Sequence, residues 1–138
     1  MRFTRITIIR IKKPVLEEQN TQGINEELKF LGESLGLFND RDKDKSCFRI
    51  FIILIKALKT NHRLTSDEIA DKTNLSRGTV IHHLNKLMET GIVVNQKNCY
   101  ILSVDSMEEL VELVKNNLVK TFDNLKPIAK NIDKKLEL

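Results

Sequence analysis

The chain has 138 residues, 41% hydrophobic and 30% charged, which suits one small domain with extensions. Its two prolines and five glycines exclude collagen-like and low-complexity classes, and its longest apolar run, residues 50–55, is too short for the roughly 20-residue helix that spans a bilayer. The two cysteines, Cys47 and Cys99, form neither a disulfide framework nor a CxxC metal site. We therefore expect a cytoplasmic protein without a membrane partner, metal or other cofactor. The net charge of +4 permits a polyanionic partner without requiring one.

The N-terminal third predicts a strand, a helix and a connector. Residues 2–11 are β-branched and roughly alternating, which predicts a strand that Pro14 ends. A helix that stops near Gly36 is predicted by four apolar residues at helical spacing: Ile24, Leu28, Leu31 and Leu35. Mixed charges over 39–45 indicate an exposed connector. We group residues 1–45 as an N-terminal extension.

A short and almost wholly apolar segment follows at residues 47–58, with Ser46 as its candidate helix cap. A short apolar run is compatible with a helix or a buried strand. Its length and its lack of internal breakers favour a helix. Because that helix is apolar nearly all round, we expect it to be buried on several sides.

Two sets of capping signals stand close together in the middle of the chain. Thr65 and Glu68 form a capping box, which predicts a short helix ending near Thr73. Ser76 starts the same pattern again, and Gly91 is placed to end the second helix. The inward stripe of this second helix consists of Val80, Leu84, Leu87 and Met88.

A hairpin is predicted over residues 92–102, with residues 95–98 as its polar turn. The order of helix, helix, turn, helix and hairpin predicts a mainly α fold with a small β component, a winged helix-turn-helix over 46–104. Its recognition helix is residues 76–90. The alternative is an ordinary helical hairpin followed by a β-meander.

The C-terminal segment, residues 105–138, predicts a long helix that begins with a capping box of Ser106 and Glu109. Pro127 predicts a kink or break in it. Its apolar stripe comprises Met107, Val111, Val114, Leu118, Phe122, Leu125, Ile128 and Ile132. A stripe of this length exceeds what a small domain can cover, which indicates a dimerisation helix. A return across the N-terminal helix is the alternative.

The face of the recognition helix opposite its apolar stripe would enter the major groove of DNA. Arginine recognises guanine, threonine contacts the thymine methyl group, and Lys86 is suited to a phosphate. The residues expected to bind DNA are Ser76, Arg77, Gly78, Thr79, His82, His83, Lys86, Asn95 and Lys97. Because adjacent helical residues point about 100° apart, His82 and His83 are not expected to chelate one metal ion.

The sequence LSRGTVIHHLNKLMETGIV, residues 75–93, resembles the recognition helix and first wing strand of ArsR-type winged-helix repressors. The resemblance implies that Arg77, Thr79 and His82 face bases and that His83 meets the DNA backbone. Together with the isoleucine- and lysine-rich composition, this layout resembles archaeal proteins.

The chain departs from the ArsR pattern at Gly78 and Ile81, where the family commonly has serine. The base preference of the family is therefore not transferred to this chain. Residues 67–73 contain neither cysteine nor histidine, so the metal-sensing cysteine box of sensor members is missing.

The sequence favours a homodimeric, sequence-specific transcriptional regulator that binds double-stranded DNA. The alternative is a winged-helix module that binds proteins within a transcription or processing assembly. An enzyme is not expected, because the chain contains no dinucleotide-binding, P-loop, zinc-protease or serine-hydrolase motif.

Overall fold

The computed structural model describes residues 23–38 and 45–138, and these ranges form five helices and three strands. In chain order the elements are α1 (Ile24–Ser34), α2 (Ser46–Lys59), β1 (Leu64–Thr65), α3 (Ser66–Thr73), α4 (Arg77–Glu89), β2 (Val93–Gln96), β3 (Cys99–Leu102) and α5 (Met107–Leu136). The predicted mainly α winged helix-turn-helix is confirmed. The strand predicted over 2–11 and the connector predicted over 39–45 lie outside the described residues, apart from Lys45.

The apolar helix α2 lies at the centre of the core. Ile50, Phe51 and Leu54 are at most 1% exposed, and they belong to one cluster with Ile69 of α3 and Leu84 of α4. Full burial of such a side chain contributes roughly 1.5–3 kcal/mol. The helical interpretation of this apolar segment is confirmed, and the helix is covered on several sides.

The start of α2 differs from the prediction. Lys45 occupies the N-cap position in the left-handed conformation, with φ of 51°, and no side chain caps the helix there. Ser46 is instead the first helical residue and is buried. The first backbone hydrogen bond runs from the Arg49 N–H to the Lys45 carbonyl, at 2.9 Å. The prediction of Ser46 as the cap is therefore wrong by one position.

Gly91 ends α4 as predicted. Its φ of +80° favours glycine, and its N–H donates to the Met88 carbonyl at 3.0 Å. The Ile92 N–H donates to the Leu87 carbonyl at 3.2 Å, which completes a Schellman motif. This end turns the chain directly into the wing.

The wing is a three-stranded antiparallel sheet with the order β1-β3-β2. The strand β1 was not predicted, because a strand of two residues shows no periodicity in the sequence. The hairpin turn consists only of Lys97 and Asn98, whose φ values of 53° and 65° match a type I′ turn. The predicted turn over 95–98 is too long, since Asn95 and Gln96 belong to β2.

An aromatic cluster joins the segment after α1 to α2. The Phe38 ring lies 5.4 Å from the Phe48 ring in an edge-on arrangement and 6.1 Å from the Phe51 ring. Gly32 of α1 packs against the same ring, so that a β-carbon added there would overlap Phe38. The glycine is thus required for close approach rather than for an unusual φ.

The helix α5 has 30 residues, a length of about 45 Å at 1.5 Å per residue. It continues through Pro127, so the predicted break does not occur. Pro127 lies on the exposed side, where water can bind the carbonyl that loses its partner. No helix in the described ranges is both long and apolar enough to cross a membrane.

The capping box predicted at the start of α5 forms only in part. Ser106 accepts a hydrogen bond from the Glu109 N–H at 3.1 Å, as predicted. The Glu109 carboxylate, however, accepts from the Asp105 N–H at 2.8 Å. In a complete capping box the Glu109 carboxylate would accept from the N–H of Ser106. Here it accepts from the residue before the cap.

The first half of α5 packs on the domain. Leu110 is fully buried, Val114 is 7% exposed, and Leu118 packs partly buried against the core. Leu110 was not in the predicted stripe, whereas Val111, which was, is 38% exposed. The side of α5 that packs on the domain is therefore rotated about the helix axis relative to the centre of the predicted apolar stripe.

Substitution of Gly32 by alanine should lower the free energy of unfolding by about 1–3 kcal/mol, because the Phe38 ring is held between two other rings and cannot yield. Urea unfolding followed by circular dichroism measures the change. The matched control is Gly78→Ala, where nothing lies within 4 Å of the added β-carbon and the helix should gain up to about 1 kcal/mol. Equal stability of the two variants would contradict this account.

Candidate nucleic-acid interface

The short helix α3 is fixed at its start by a complete capping box. The Glu68 N–H donates to the Thr65 hydroxyl oxygen at 3.2 Å, and the Thr65 N–H donates to the Glu68 carboxylate at 3.3 Å. The backbone hydrogen bond from Thr65 lowers the pKa of Glu68, desolvation opposes it, and the Thr65 hydroxyl and nearby His62 lower the pKa further. The predicted capping box is confirmed.

A three-residue turn, Asn74 to Ser76, connects α3 to α4. Asn74 adopts the left-handed conformation, with φ of 57°, and the Leu75 N–H donates to the Ala70 carbonyl at 3.2 Å. The buried Thr73 hydroxyl donates to the Ile69 carbonyl at 2.7 Å. With the backbone and hydroxyl groups satisfied, the turn orients α4 reproducibly relative to α3.

Ser76 and Thr79 form the N-terminal cap of α4. The Ser76 hydroxyl oxygen accepts from the Thr79 N–H at 3.2 Å and donates to the Thr79 hydroxyl oxygen at 2.8 Å. The predicted cap is confirmed. The Thr79 hydroxyl keeps its own hydrogen for donation outward, so it remains able to contact a ligand while it accepts from Ser76.

One side of α4 is buried and the other is open. Val80 and Leu84 are fully buried, whereas Gly78 has no atom within 4 Å of an added β-carbon. The open side carries exposed Arg77, Gly78, His82, Asn85, Lys86 and Glu89, with Thr79 half-buried beside them. The structure therefore brings five of the nine predicted DNA contacts, from Arg77 to Lys86, onto one accessible helix side.

His82 and His83 lie in different environments. Their rings meet edge-on at 5.4 Å, with His82 exposed and His83 half-buried. In the described part of the chain, no group of three or more His, Cys, Asp or Glu is arranged to hold a metal ion. His82 thus extends the accessible side of α4, and His83 lies at its margin.

Arg77 pairs with an acidic residue of α3, a contact that was not predicted. Its Nε lies 3.5 Å from the Asp67 carboxylate at the start of α3, and both side chains are more than 70% exposed. An exposed pair of this kind adds little stability. It engages only the Nε side of the guanidinium, which leaves terminal nitrogens available for another acceptor. No spacing in the sequence signals this contact, because it depends on how α3 and α4 pack.

The other predicted contacts lie on the wing. Lys97 is at the tip of the hairpin and Asn95 is on β2 opposite Tyr100, and both predicted residues are exposed. They form a second polar element on a different part of the fold from α4.

A family model described as winged helix-turn-helix DNA-binding matches residues 52–94, from within α2 to the first residues of β2. The match covers the helix-turn-helix and supports DNA binding in general. No curated protein and no solved structure matches the chain significantly.

The Glu68 carboxylate should make the stability of the fold depend on acid pH. Because its pKa is lower in the folded chain, its contribution is present above the ordinary glutamate pKa and is lost as the pH falls through the folded value. Between about pH 6 and pH 3, the wild type should lose more stability than Glu68→Gln, whose amide still fits the capping box.

Urea unfolding across this pH range makes the comparison. Glu89→Gln removes one exposed carboxylate outside the capping box and should retain the acid sensitivity of the wild type. If Glu68→Gln and Glu89→Gln showed the same pH profile, the effect assigned to the capping box would be absent.

Proposed function

We propose that the protein is a sequence-specific, DNA-binding transcriptional regulator that acts as a homodimer in the cytoplasm. The observation that carries the proposal is the pair of capped helices α3 and α4, with the polar side of α4 open from its first turn. The family match over residues 52–94 supports the same activity. In this proposal α4 enters the major groove and the hairpin from β2 to β3 acts as the wing.

The side chains of α4 suit two kinds of DNA contact. Arg77 presents free terminal nitrogens to guanine, Thr79 suits a thymine methyl group, and His82 extends the row by one turn. Gly78 leaves room for the sugar–phosphate backbone to approach. Lys86, further along the helix, is assigned to a phosphate, as are the polar wing residues Asn95 and Lys97. Ser76 contributes by capping the helix, and His83 by a backbone contact.

We further propose an ArsR-like type of regulator that lacks the metal-sensing cysteine box of sensor members. The support is the likeness of residues 75–93 to the ArsR recognition helix. In this type of protein the specificity lies in the first turns of α4, where Gly78 and Ile81 replace the common serines. The operator should accordingly be determined by selection on DNA rather than taken from the family.

The homodimer is proposed because the second half of α5 carries exposed apolar residues. Phe122 is 59% exposed and Ile132 is 50% exposed, although both belong to the regular stripe of the helix. A dimer also doubles the number of basic side chains that contact DNA, which a chain with a net charge of +4 needs for strong binding.

Substitution of Arg77 by alanine should weaken specific binding by about 1–3 kcal/mol and relax the preference at one base position. Lys86→Ala should weaken binding to all sequences alike. It should also reduce the slope of log binding constant against log salt concentration by about one for each phosphate contact that a subunit loses. Binding to selected and scrambled duplexes at two salt concentrations distinguishes the two effects.

The control for lost charge is Lys130→Ala, on the second half of α5, which should leave the base preference intact. If wild type and all three variants bound DNA equally weakly, the protein-interaction alternative would replace the proposed function.

The oligomeric state should depend on Leu125, which is half-buried in the stripe of α5 beyond the core cluster. Leu125→Glu should convert a dimer into a monomer in light scattering, because burial of two unpaired like charges costs several kcal/mol. Asn124→Glu adds the same charge beside the stripe and should remain dimeric. A wild type that is monomeric at tens of micromolar, roughly the range of weak dimers, would contradict the homodimer.

A further inference from the structure

We propose that Asp67 is a specificity-determining residue that acts through Arg77. Its carboxylate disfavours contact between Arg77 and a DNA phosphate, which leaves contact with guanine as the favoured alternative. This role rests on the proposed function, DNA binding through α4. It deepens that function by naming a residue outside α4 that sets the preference for one duplex over another.

The carboxylate of Asp67 and the guanidinium of Arg77 are neighbours at the starts of two packed helices. Asp67 is the second residue of α3, and Arg77 is the first residue of α4. The Arg77 Nε lies 3.5 Å from the Asp67 carboxylate, and the side chains are 73% and 72% exposed, respectively. Both helix starts are capped, by Thr65 in α3 and by Ser76 in α4, and the two helices pack against each other. The two charges therefore stay close even when the exposed side chains rotate.

The two acids in the first turn of α3 have different surroundings. The Glu68 carboxylate accepts from the Thr65 N–H at 3.3 Å and from the Thr65 hydroxyl at 3.2 Å, so it is engaged in the helix cap. The Asp67 carboxylate instead lies beside Arg77. The first turn of α4 contains no acidic residue. Asp67 thus supplies the negative charge next to the first residue that we propose for base recognition.

The ion pair has more effect on DNA binding than on folding. An exposed pair contributes little to stability. A carboxylate beside the proposed DNA-binding side of α4, by contrast, repels the phosphates of any duplex. Such a repulsion produces specificity when it weakens binding to the wrong partner more than binding to the right one.

Guanine and phosphate respond differently to the Asp67 carboxylate. With the Nε side of Arg77 facing Asp67, the two terminal nitrogens can donate to guanine O6 and N7 without separating the ion pair. The two guanine atoms carry only partial charges. A phosphate on the same nitrogens carries a full negative charge within roughly one Debye length of the carboxylate, about 8 Å at physiological ionic strength. The carboxylate therefore opposes the phosphate contact more than the guanine contact.

Replacement of Asp67 by asparagine tests this role, because it removes the charge and keeps the size of the side chain. Binding of the full chain is measured to a duplex obtained by in vitro selection and to a scrambled duplex of the same length and composition. For each subunit that binds, Asp67→Asn should tighten binding to the scrambled duplex about fivefold and to the selected duplex less than about twofold. The ratio of the two affinities, which measures specificity, should therefore fall.

The salt dependence provides a second measurement. In Asp67→Asn the Arg77 side chain becomes free to neutralise a phosphate on any sequence. For the scrambled duplex, the slope of log binding constant against log salt concentration should steepen by about one for each subunit that binds.

Removal of Arg77 shows whether Asp67 acts through it. In a chain that already carries Arg77→Ala, Asp67→Asn should change binding to both duplexes by the same factor, so that their affinity ratio stays constant. A role of Asp67 in the structure of α3 alone would affect the two backgrounds alike. The double-mutant comparison separates these two explanations.

Asp71→Asn is the matched control. Asp71 is an exposed acid on the same helix, one turn after Asp67, so its replacement changes the net charge equally. It should leave the affinity ratio at the value of the wild type. Asp67→Glu keeps the charge and should also retain the ratio, and circular dichroism verifies that each variant is folded.

An affinity ratio that Asp67→Asn leaves unchanged, or that Asp71→Asn lowers equally, would overturn the role of Asp67. If the wild type still binds the selected duplex preferentially, only this role is removed. A wild type that binds neither duplex removes the proposed function and the role of Asp67 with it, so the two failures are distinguishable.

Discussion

Burial of α2 is the interaction on which the rest of the fold depends. This helix is apolar on nearly all sides, and α3, α4 and β3 pack against it while the Phe38 ring joins α1 to it. Because α3 and α4 both pack on α2, core side chains such as Ile69 and Leu84 determine the angle between them. The three-residue turn only has to permit that angle. The position of the open side of α4 is thus a consequence of hydrophobic packing around Phe51 and its neighbours.

The start of α4 combines helix capping with the exposed polar groups that we propose for DNA recognition. Ser76 is engaged in capping, and Thr79 accepts from it while its own hydrogen remains available. The Arg77 Nε lies 3.5 Å from the Asp67 carboxylate, and because both side chains are exposed this pair adds little stability. The cap formed by Ser76 and Thr79 is therefore part of the fold before any ligand arrives.

The apolar side of α5 begins in the core of the winged-helix domain and continues along the second half of the helix, where it is exposed. Leu110 and Val114 anchor the helix, and the Asn117 side chain donates to the Thr90 carbonyl at the end of α4 at 3.1 Å. This polar contact fixes α5 relative to the end of α4. If a second copy of the chain binds the distal half of α5, the position of one α4 relative to the other is therefore determined as well. Rigid coupling of this kind is what an inverted-repeat operator demands of a dimer.

The sequence by itself determined the elements that local chemistry specifies. The capping groups Thr65, Glu68 and Ser76 and the terminal Gly91 marked α3 and α4, because each satisfies backbone groups within a few residues. Tertiary structure alone decided the two-residue strand β1, the docking of Leu110 instead of Val111 and the pair of Arg77 with Asp67. It also decided that the chain enters α2 through Lys45 rather than through a Ser46 cap. These features depend on contacts between elements distant in the chain, or on the path of the backbone, and neither periodicity nor spacing records them.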